Sequence, residues 1–277
     1  MISPSPYQRI LVPLDGSDVA LRAVRQAERL AAMFGARLWL VTIDDPGDDA
    51  DPAAILAEGV GVAETTAVDA EHITSENPHL VLAELNDGHA DALCCMSTSG
   101  RGSIGRAVLG SVARAVVDHS VEPVVLVGPA CRDEPVPIDR ITVALDGSEQ
   151  SEAAVGWAAQ WAHSAGRTLD LIRVVHPLPA PAARVQPTEE QLDDLRYVHV
   201  LADELDTPEK IHSFNLSAAD PVEALSRHLR DFDGSLLAMA TRPADLLADL
   251  VTGGVAAALI RRSPAPVALT SRPDHRR

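Results

Sequence analysis

The sequence of 277 residues contains a single lysine, Lys210, and its formal net charge is −17. Proteins that bind the phosphates of DNA, RNA or anionic lipid use clustered lysine and arginine side chains. The composition therefore predicts no nucleic-acid partner and no membrane partner. The first half has no lysine, and the chain has no GxxxxGK[ST] pattern, so a Walker-type phosphate loop is excluded.

Cysteine is also scarce, and long apolar runs are missing. The three cysteines show no metal or redox spacing, and Cys94 and Cys95 lie side by side in an apolar stretch. Adjacent residues of a strand face opposite sides, so we expect both to fill the core. No apolar run approaches the ~18 residues of a membrane span, and residues 1–8 show no signal-peptide pattern. The expectation is a soluble, cytoplasmic protein.

An internal repeat dominates what is present. Residues 9–40 recur without a gap as residues 140–171, and residues 96–98 recur as residues 239–241. The identical pairs of the longer repeat include Ile10/Ile141, Val12/Val143, Asp15/Asp146, Gly16/Gly147, Ser17/Ser148, Gly35/Gly166 and Leu38/Leu169. Self-similarity of this length indicates two copies of one folding unit. We predict domains at residues 1–131 and 138–277, joined by a linker at 132–137.

Each copy alternates short apolar runs with segments of helical periodicity. The predicted strands are 10–14, 38–43, 68–73, 90–97 and 123–127 in the first copy, and 141–145, 169–175, 210–214, 235–240 and 266–270 in the second. In the first copy, one predicted helix begins after Ser17, a weaker one begins after residue 52, and two more span 80–86 and 105–119. In the second copy, the predicted helices span 148–165, 221–230 and 246–261, and a polar helix begins at 188. Such alternation predicts an α/β fold with two tandem, open, mainly parallel five-stranded sheets flanked by helices, similar to Rossmann folds.

A glycine-rich segment, 96–105, leaves the fourth predicted strand, and Gly110 and Ser111 follow it. Glycine lets the backbone approach a phosphate closely, and the amides at a helix start point toward an anion. Arg101 would add a charge-assisted contact, and the Ser111 hydroxyl would reach a phosphate oxygen. The alternative is that these glycines only shape a tight turn.

Together these motifs resemble the universal stress protein family, whose nucleotide loop reads G-x2-G-x9-G-[ST] and whose first strand ends in Asp. Gly100, Gly110 and Ser111 fit that loop, and Asp15 in VPLDGS fits the strand end. Ser97 stands where the pattern has its first glycine. Both halves resemble the family, although Asp15, like Asp146, also suits a turn residue before a helix.

The resemblance implies an ATP-binding regulator of the stress response, with Asp15 near the ribose or a magnesium ion. It implies that Thr42, at the end of strand two, presents its backbone to adenine. The implied binding residues are Pro13, Leu14, Asp15, Thr42, Met96, Ser97, Gly100, Arg101, Gly110, Ser111 and Val112. It also implies that the last strands, 124–127 and 267–269, pair to make an internal pseudo-dimer. The protein partner, and whether two chains form a homodimer, are left open.

The second copy lacks the loop chemistry. Pro243 stands at the position of Gly100, and proline has no N–H and a fixed φ. Ala240, Ala244 and Gly254 stand at the positions of Ser97, Arg101 and Ser111. Asp245 and Asp249 would also repel phosphates. We predict that the second half binds no ATP in this mode.

Binding is favoured over catalysis, with at most slow ATP hydrolysis. Phosphoryl transfer needs dense positive charge, and only Arg101, Arg106 and a metal at Asp15 would supply it. GRGSIG at 100–105 matches a dinucleotide fingerprint but follows the fourth strand rather than the first. The acidic pair and lysine of a phospho-acceptor receiver are missing, and nothing indicates a flavin. A nucleotide-independent scaffold of the same fold remains the alternative.

Overall fold

The computed structural model describes residues 5–44, 50–64, 67–99, 109–134, 136–177, 189–205, 210–241 and 254–270. The first half contains β1 (Arg9–Leu14), α1 (Asp18–Phe34), β2 (Arg37–Asp44), α2 (Pro52–Val62), β3 (Val68–Thr74), α3 (Pro78–Gly88), β4 (Ala92–Ser97), α4 (Ser111–His119) and β5 (Val124–Val127). The second contains β6 (Arg140–Leu145), α5 (Glu149–Ala165), β7 (Thr168–Val175), α6 (Glu189–Glu204), β8 (Ile211–Ser217), α7 (Pro221–Asp231), β9 (Ser235–Ala240), α8 (Val255–Arg262) and β10 (Val267–Thr270).

The ten strands of the described ranges form one sheet, in the order β3-β2-β1-β4-β5-β10-β9-β6-β7-β8. Neighbouring strands are parallel within each half. The halves meet where β5 and β10 pair antiparallel, with Val124 opposite Leu269 and Leu126 opposite Val267. The predicted fold is confirmed, including the pairing of the two last strands, which makes the two five-stranded sheets continuous.

The longest helix of each half begins and ends with the same residue types. Ser17 caps α1 by accepting a hydrogen bond from Ala20 N, and Gly35 ends it in the left-handed region at φ 67°. Ser148 and Gly166 do the same for α5, with φ 62° at the glycine. A serine oxygen satisfies a helix-start amide, and glycine enters the left-handed region without steric cost. These signals explain why the repeat is easiest to recognise here.

Alternate strand residues face two separate layers of the core. Cys95 packs with α1 and α5 on one face, whereas Cys94 packs with α4 and α8 on the other, and both are fully buried. Their expected role as core fillers is confirmed. Burial raises the pKa of the Cys94 thiol to about 12, so it stays protonated. No helix in the described ranges is long and apolar enough to cross a lipid bilayer.

Two predicted helix starts are wrong. The helix before β5 begins at Ser111 rather than at 105, because Leu109 and Gly110 are not helical and Gly110 is the N-cap, with φ −63° and ψ 159°. The helix before β10 likewise begins at Val255 rather than at 246, after an N-cap at Gly254. Residues 105–108 and 246–253 lie outside the described ranges. An apolar periodicity that continues through a glycine hid both boundaries.

The segment between the halves is held by α1 rather than looped into solvent. Gln26 Nε2 donates a 2.6 Å hydrogen bond to Arg132 O. Arg29, which is buried, donates to Val136 O and to Asp233 O. The predicted linker is therefore part of the contact between the halves.

Candidate functional site

The sheet reverses its direction of winding between β1 and β4. The chain leaves β1 toward α1, which packs on one face, and α4 packs on the opposite face. β1 and β4 are adjacent and parallel, with Leu11 opposite Cys94. In open α/β sheets, the carboxyl ends of the strands at such a reversal border a crevice that accepts ligands. In this chain the crevice lies between residues 14–17 and residues 97–99.

On one side of this crevice, Asp15 is fixed in a tight turn. Gly16 follows with φ 76°, in the left-handed region. Asp15 Oδ1 accepts hydrogen bonds of 3.0 Å from Ser17 N and 2.6 Å from Ser17 Oγ. Ser17 in turn caps α1. The carboxylate is therefore held at the sheet edge beside the start of a helix.

The second half repeats this turn at Asp146. Asp146 Oδ1 accepts a 2.9 Å hydrogen bond from Ser148 N. Burial acts to raise the pKa of Asp146, but hydrogen bonds from Ser148 and Ser151 outweigh it, so the pKa lies below its ordinary value. Both halves therefore share the geometry of the turn that follows their first strand.

Thr42 lies level with Leu14, the last residue of β1, and it also pairs with His72 of β3. β2 continues two residues further, to Asp44. Thr42 Oγ1 donates a 2.9 Å hydrogen bond to Leu14 O. The placement of Thr42 at the end of strand two is therefore corrected.

Beyond Thr42, a hydrogen-bonded pair of side chains lies at the end of β2. His72 Nε2 lies 2.7 Å from Asp44 Oδ1. The hydrogen bond from His72 holds the pKa of Asp44 below its ordinary value. No sequence pattern indicates this pair, because its two residues come from different strands and neither belongs to a motif.

The opposite side of the crevice is the turn that follows β4. Ser97 Oγ donates a 2.7 Å hydrogen bond to Ser99 O, so the residue at the first glycine position closes the turn with its own side chain. Gly110 N donates a 2.6 Å hydrogen bond to Thr98 O, which brings the helix start back to the strand end. A Cβ at Gly110 would lie 3.3 Å from Thr98 O, closer than most side chains approach a backbone atom.

The amino end of α4 faces this turn without a side-chain cap. Gly110, the N-cap, has no side chain to accept a hydrogen bond from the first amides of the helix. Ser111 is exposed at the first helical position, and Val112 is half-buried. Uncapped amides and the helix dipole favour an anion at such an end. The geometry therefore offers a place for a phosphate or carboxylate.

The structure places most of the predicted site residues around this crevice. Those at the ends of β1 and β4, within β2 or at the start of α4 are Pro13, Leu14, Asp15, Thr42, Met96, Ser97, Gly110, Ser111 and Val112. Gly100 and Arg101 lie outside the described residues. Thr98, whose carbonyl holds the helix start, was missed, although its repetition as Thr241 was a usable signal.

The corresponding crevice of the second half is a cavity of about 480 Å³. Its polar wall includes Asp146, Ser148, Gln150 and Arg173, and its apolar wall includes Leu225, Met239 and Val255. Within the ranges that the structure describes, no group of three or more His, Cys, Asp or Glu residues is arranged to hold a metal ion.

The universal stress protein family model matches residues 6–128 and, separately, residues 137–271. A universal stress protein from Archaeoglobus fulgidus DSM 4304 is similar over 96% of this chain and 98% of its own, with 18% identity and a TM-score of 0.63. UspA from Lactobacillus plantarum is 26% identical over 41% of this chain and 92% of its own, with a TM-score of 0.35. A universal stress protein solved in complex with cAMP is 29% identical over 44% of this chain and 98% of its own, with a TM-score of 0.38. No curated protein sequence matches.

The likeness to the Archaeoglobus protein extends over nearly the whole of both chains, and at this identity it shows the fold. The family model adds evidence from the sequence itself. Its two matches cover one half each, and together they cover most of the chain. This chain belongs to the universal stress protein family.

Proposed function

We propose that this protein is a regulator of the stress response that binds one adenine nucleotide, ATP, in its first half. The first domain, residues 1–131, would carry the site, and the second, residues 138–277, would carry a degenerate copy. The observation that supports this most is the pairing of an anchored carboxylate with an uncapped helix start. Asp15 and the amino end of α4, at Gly110, lie at the same sheet edge on the two sides of the strand reversal.

The two ends of this crevice suit the two ends of a nucleotide. The α4 amides, with Ser111 beside them, favour the phosphates, because helix-start amides and the dipole stabilise negative charge. Pro13, Leu14 and the β2 backbone near Thr42 would border the base and ribose. Met96, Ser97 and Val112 would line the middle, and Gly100 and Arg101 complete the proposed set.

Magnesium would come with the nucleotide, with Asp15 as a protein ligand. A phosphate-bound Mg²⁺ commonly takes one or two carboxylates and keeps several waters. The described residues contain no three-ligand cluster that would hold the ion without the nucleotide. Asp15 is already hydrogen-bonded to Ser17, which orients the carboxylate. We expect binding with little or slow hydrolysis, since no lysine in the first half supplies transition-state charge.

A nucleotide-independent scaffold is the second candidate. It is favoured by the fact that Asp15 and Ser97 each have a complete structural role, in the turn before α1 and in the turn after β4. In that case the crevice is a feature of the fold that binds no nucleotide, and both halves act as surfaces for a protein partner.

Thermal unfolding with and without saturating MgATP separates the two candidates. A ligand at 100 times its Kd stabilises the native state by about 2.7 kcal/mol, which raises the Tm by several degrees. We expect the shift in wild type and its loss in Gly100→Pro and Ser111→Ala. Asp15→Asn and Asp146→Asn form a matched pair in the same turn, and only Asp15→Asn should reduce the shift. No shift at millimolar MgATP would favour the scaffold.

A further inference from the structure

Arg173 in the second half occupies the register position that Thr42 occupies in the first. Thr42 pairs with Leu14, and Arg173 pairs with Leu145, 131 residues later in each case. The two side chains nevertheless do different things. The Thr42 hydroxyl turns inward to the Leu14 carbonyl, whereas the longer side chain of Arg173 extends over the neighbouring turn.

The guanidinium of Arg173 lies directly above Gly147. A Cβ at Gly147 would be 3.1 Å from Arg173 Cζ and from Arg173 Nη2. That contact distance means that the space over the Asp146–Gly147 turn is already filled by a planar group. Arg173 also lines the cavity of the second half, together with Leu225 and Met239.

The inserted helix α6 holds this group in position. Arg173 Nη2 lies 2.9 Å from Asp194 Oδ1, and Arg173 Cζ lies 5.0 Å from the centre of the Tyr197 ring. Tyr197 Oη is itself fixed by a 2.8 Å hydrogen bond to Glu152 Oε1 on α5. The Arg173 side chain is only 17% exposed. Moving it would break an ion pair and a cation–π contact together.

We propose that Arg173, fixed by α6, is the residue that closes the second crevice to a purine base. This rests on the proposed function, which places the base of the bound nucleotide near Thr42 in the first half. The guanidinium fills the corresponding place in the second half and prevents a base from reaching the sheet edge there. The exclusion acts on the base and is independent of the phosphate loop of the second half.

The test therefore uses adenosine, which has no phosphate. Equilibrium dialysis with saturating labelled adenosine would measure the number bound per chain in wild type and in Arg173→Thr, which restores the first-half residue type. We expect about one adenosine per wild-type chain and about twice that amount in the variant. Photolabelling with 8-azidoadenosine should mark peptides of residues 140–175 only in the variant.

The outcomes separate this inference from the proposed function. If wild type binds none and Arg173→Thr binds one in its second half, the inference stands, and the MgATP unfolding test alone decides the proposed function. If wild type binds one and the folded variant also binds one, the inference is overturned and the proposed function stands. If neither protein binds adenosine, the inference is overturned, and the proposed function is again decided by the MgATP unfolding test.

Two further variants control for folding and for charge. Arg173→Ala removes the same group and is expected to give the same gain, so a misfolded threonine variant would not decide the result. Arg37→Thr removes an arginine from the start of β2 in the first half, where Arg37 pairs with the exposed carboxylate of Asp69 at 2.8 Å. It should bind as wild type does, and a gain there would contradict a local effect.

Discussion

Trp161 Nε1 donates a 3.2 Å hydrogen bond to the hydroxyl of Tyr7, 154 residues earlier in the chain. The two rings meet edge to face with centroids 5.5 Å apart, and Phe34 completes the cluster at 5.2 Å from Tyr7. Tyr7 and Trp161 are both buried. The halves are therefore joined by a shared aromatic core between α1 and α5, in addition to the β5–β10 pairing.

We expect Tyr7→Ala to destabilise the whole chain. Removing a large buried aromatic ring typically costs about 3–5 kcal/mol through lost burial and the cavity that remains. Urea unfolding followed by tryptophan fluorescence would measure the change, since two of the three tryptophans, Trp157 and Trp161, lie at the junction. Tyr7→Phe is the matched control, because it keeps the ring and loses only the hydrogen bond, for about 1 kcal/mol. Equal losses in the two variants would contradict a packing role.

This junction illustrates what a single sequence can and cannot predict. The caps at Ser17 and Gly35 were predictable because each depends only on the residue types at its own end of the helix. The pairing of β5 with β10 was implied by the family resemblance. The contact of Tyr7 with Trp161 was not predictable, because it depends on how two helices from different halves cross. Composition did show that aromatic residues are few, but not that four of them, Tyr7, Phe34, Trp157 and Trp161, gather at one place.

A buried ionic cluster at Asp170 distinguishes the second half from the first. Asp170 is fully buried and pairs with Arg140 Nη1 at 2.6 Å and with His212 Nδ1 at 3.1 Å, while His228 Nε2 lies 3.7 Å away. The first half has Trp39 at this position of the repeat. The partners come from β6, β8 and α7, so no local pattern could indicate them.

We expect Asp170→Asn to cost about 3–5 kcal/mol at neutral pH, because it removes the buried carboxylate from Arg140 and leaves only the exposed carboxylate of Asp139, 3.7 Å away, as its charge partner. Burial acts to raise the pKa of Asp170, but His228 and Arg140 outweigh it, so the pKa lies below its ordinary value. A carboxyl group with a depressed folded pKa adds stability above its unfolded pKa. That stability is lost as the pH falls through the folded pKa.

Urea unfolding at a series of acidic pH values would measure this dependence. Wild type should lose stability more steeply than Asp170→Asn below the ordinary aspartate pKa of about 3.9. Asp69→Asn is the control, since Asp69 pairs with Arg37 at the surface and such pairs contribute less than about 1 kcal/mol. Parallel curves for wild type and Asp170→Asn would contradict a depressed pKa.

Gly128, directly after β5, is expected to tolerate no side chain. A Cβ there would collide with the backbone carbonyl oxygen of Ile260 on α8, so the two halves would have to separate locally. Overpacking of this kind typically costs about 1–3 kcal/mol. Thermal unfolding of Gly128→Ala would show the loss. Gly88→Ala is the control at the end of α3, where a Cβ would meet nothing within 4 Å, and it should be neutral or slightly stabilising.

The site shows the same division between local and distant information. The family resemblance implied that Asp15, Gly110 and Ser111 lie together, because the motifs that carry it follow the first and fourth strands. The orientations of the Thr42 and Arg173 side chains could not be predicted. Each depends on the polar groups of a neighbouring strand or helix. Equivalent register positions therefore hide opposite side-chain roles.

We expect the two halves to stay together when the segment that joins them is cut. A protease site introduced within residues 132–137 should yield two associated fragments, because β5 and β10 remain paired, Trp161 still donates to Tyr7 and Arg29 still donates to Asp233 O. Size-exclusion chromatography of the cleaved protein would measure this. Arg29→Met should weaken the association, since it removes the hydrogen bond to Asp233 O from a charged donor, worth about 1.5–3 kcal/mol. The exposed Arg37→Met serves as the control for losing an arginine from the same half. Separation of the cleaved wild-type fragments as two folded units would contradict the shared core.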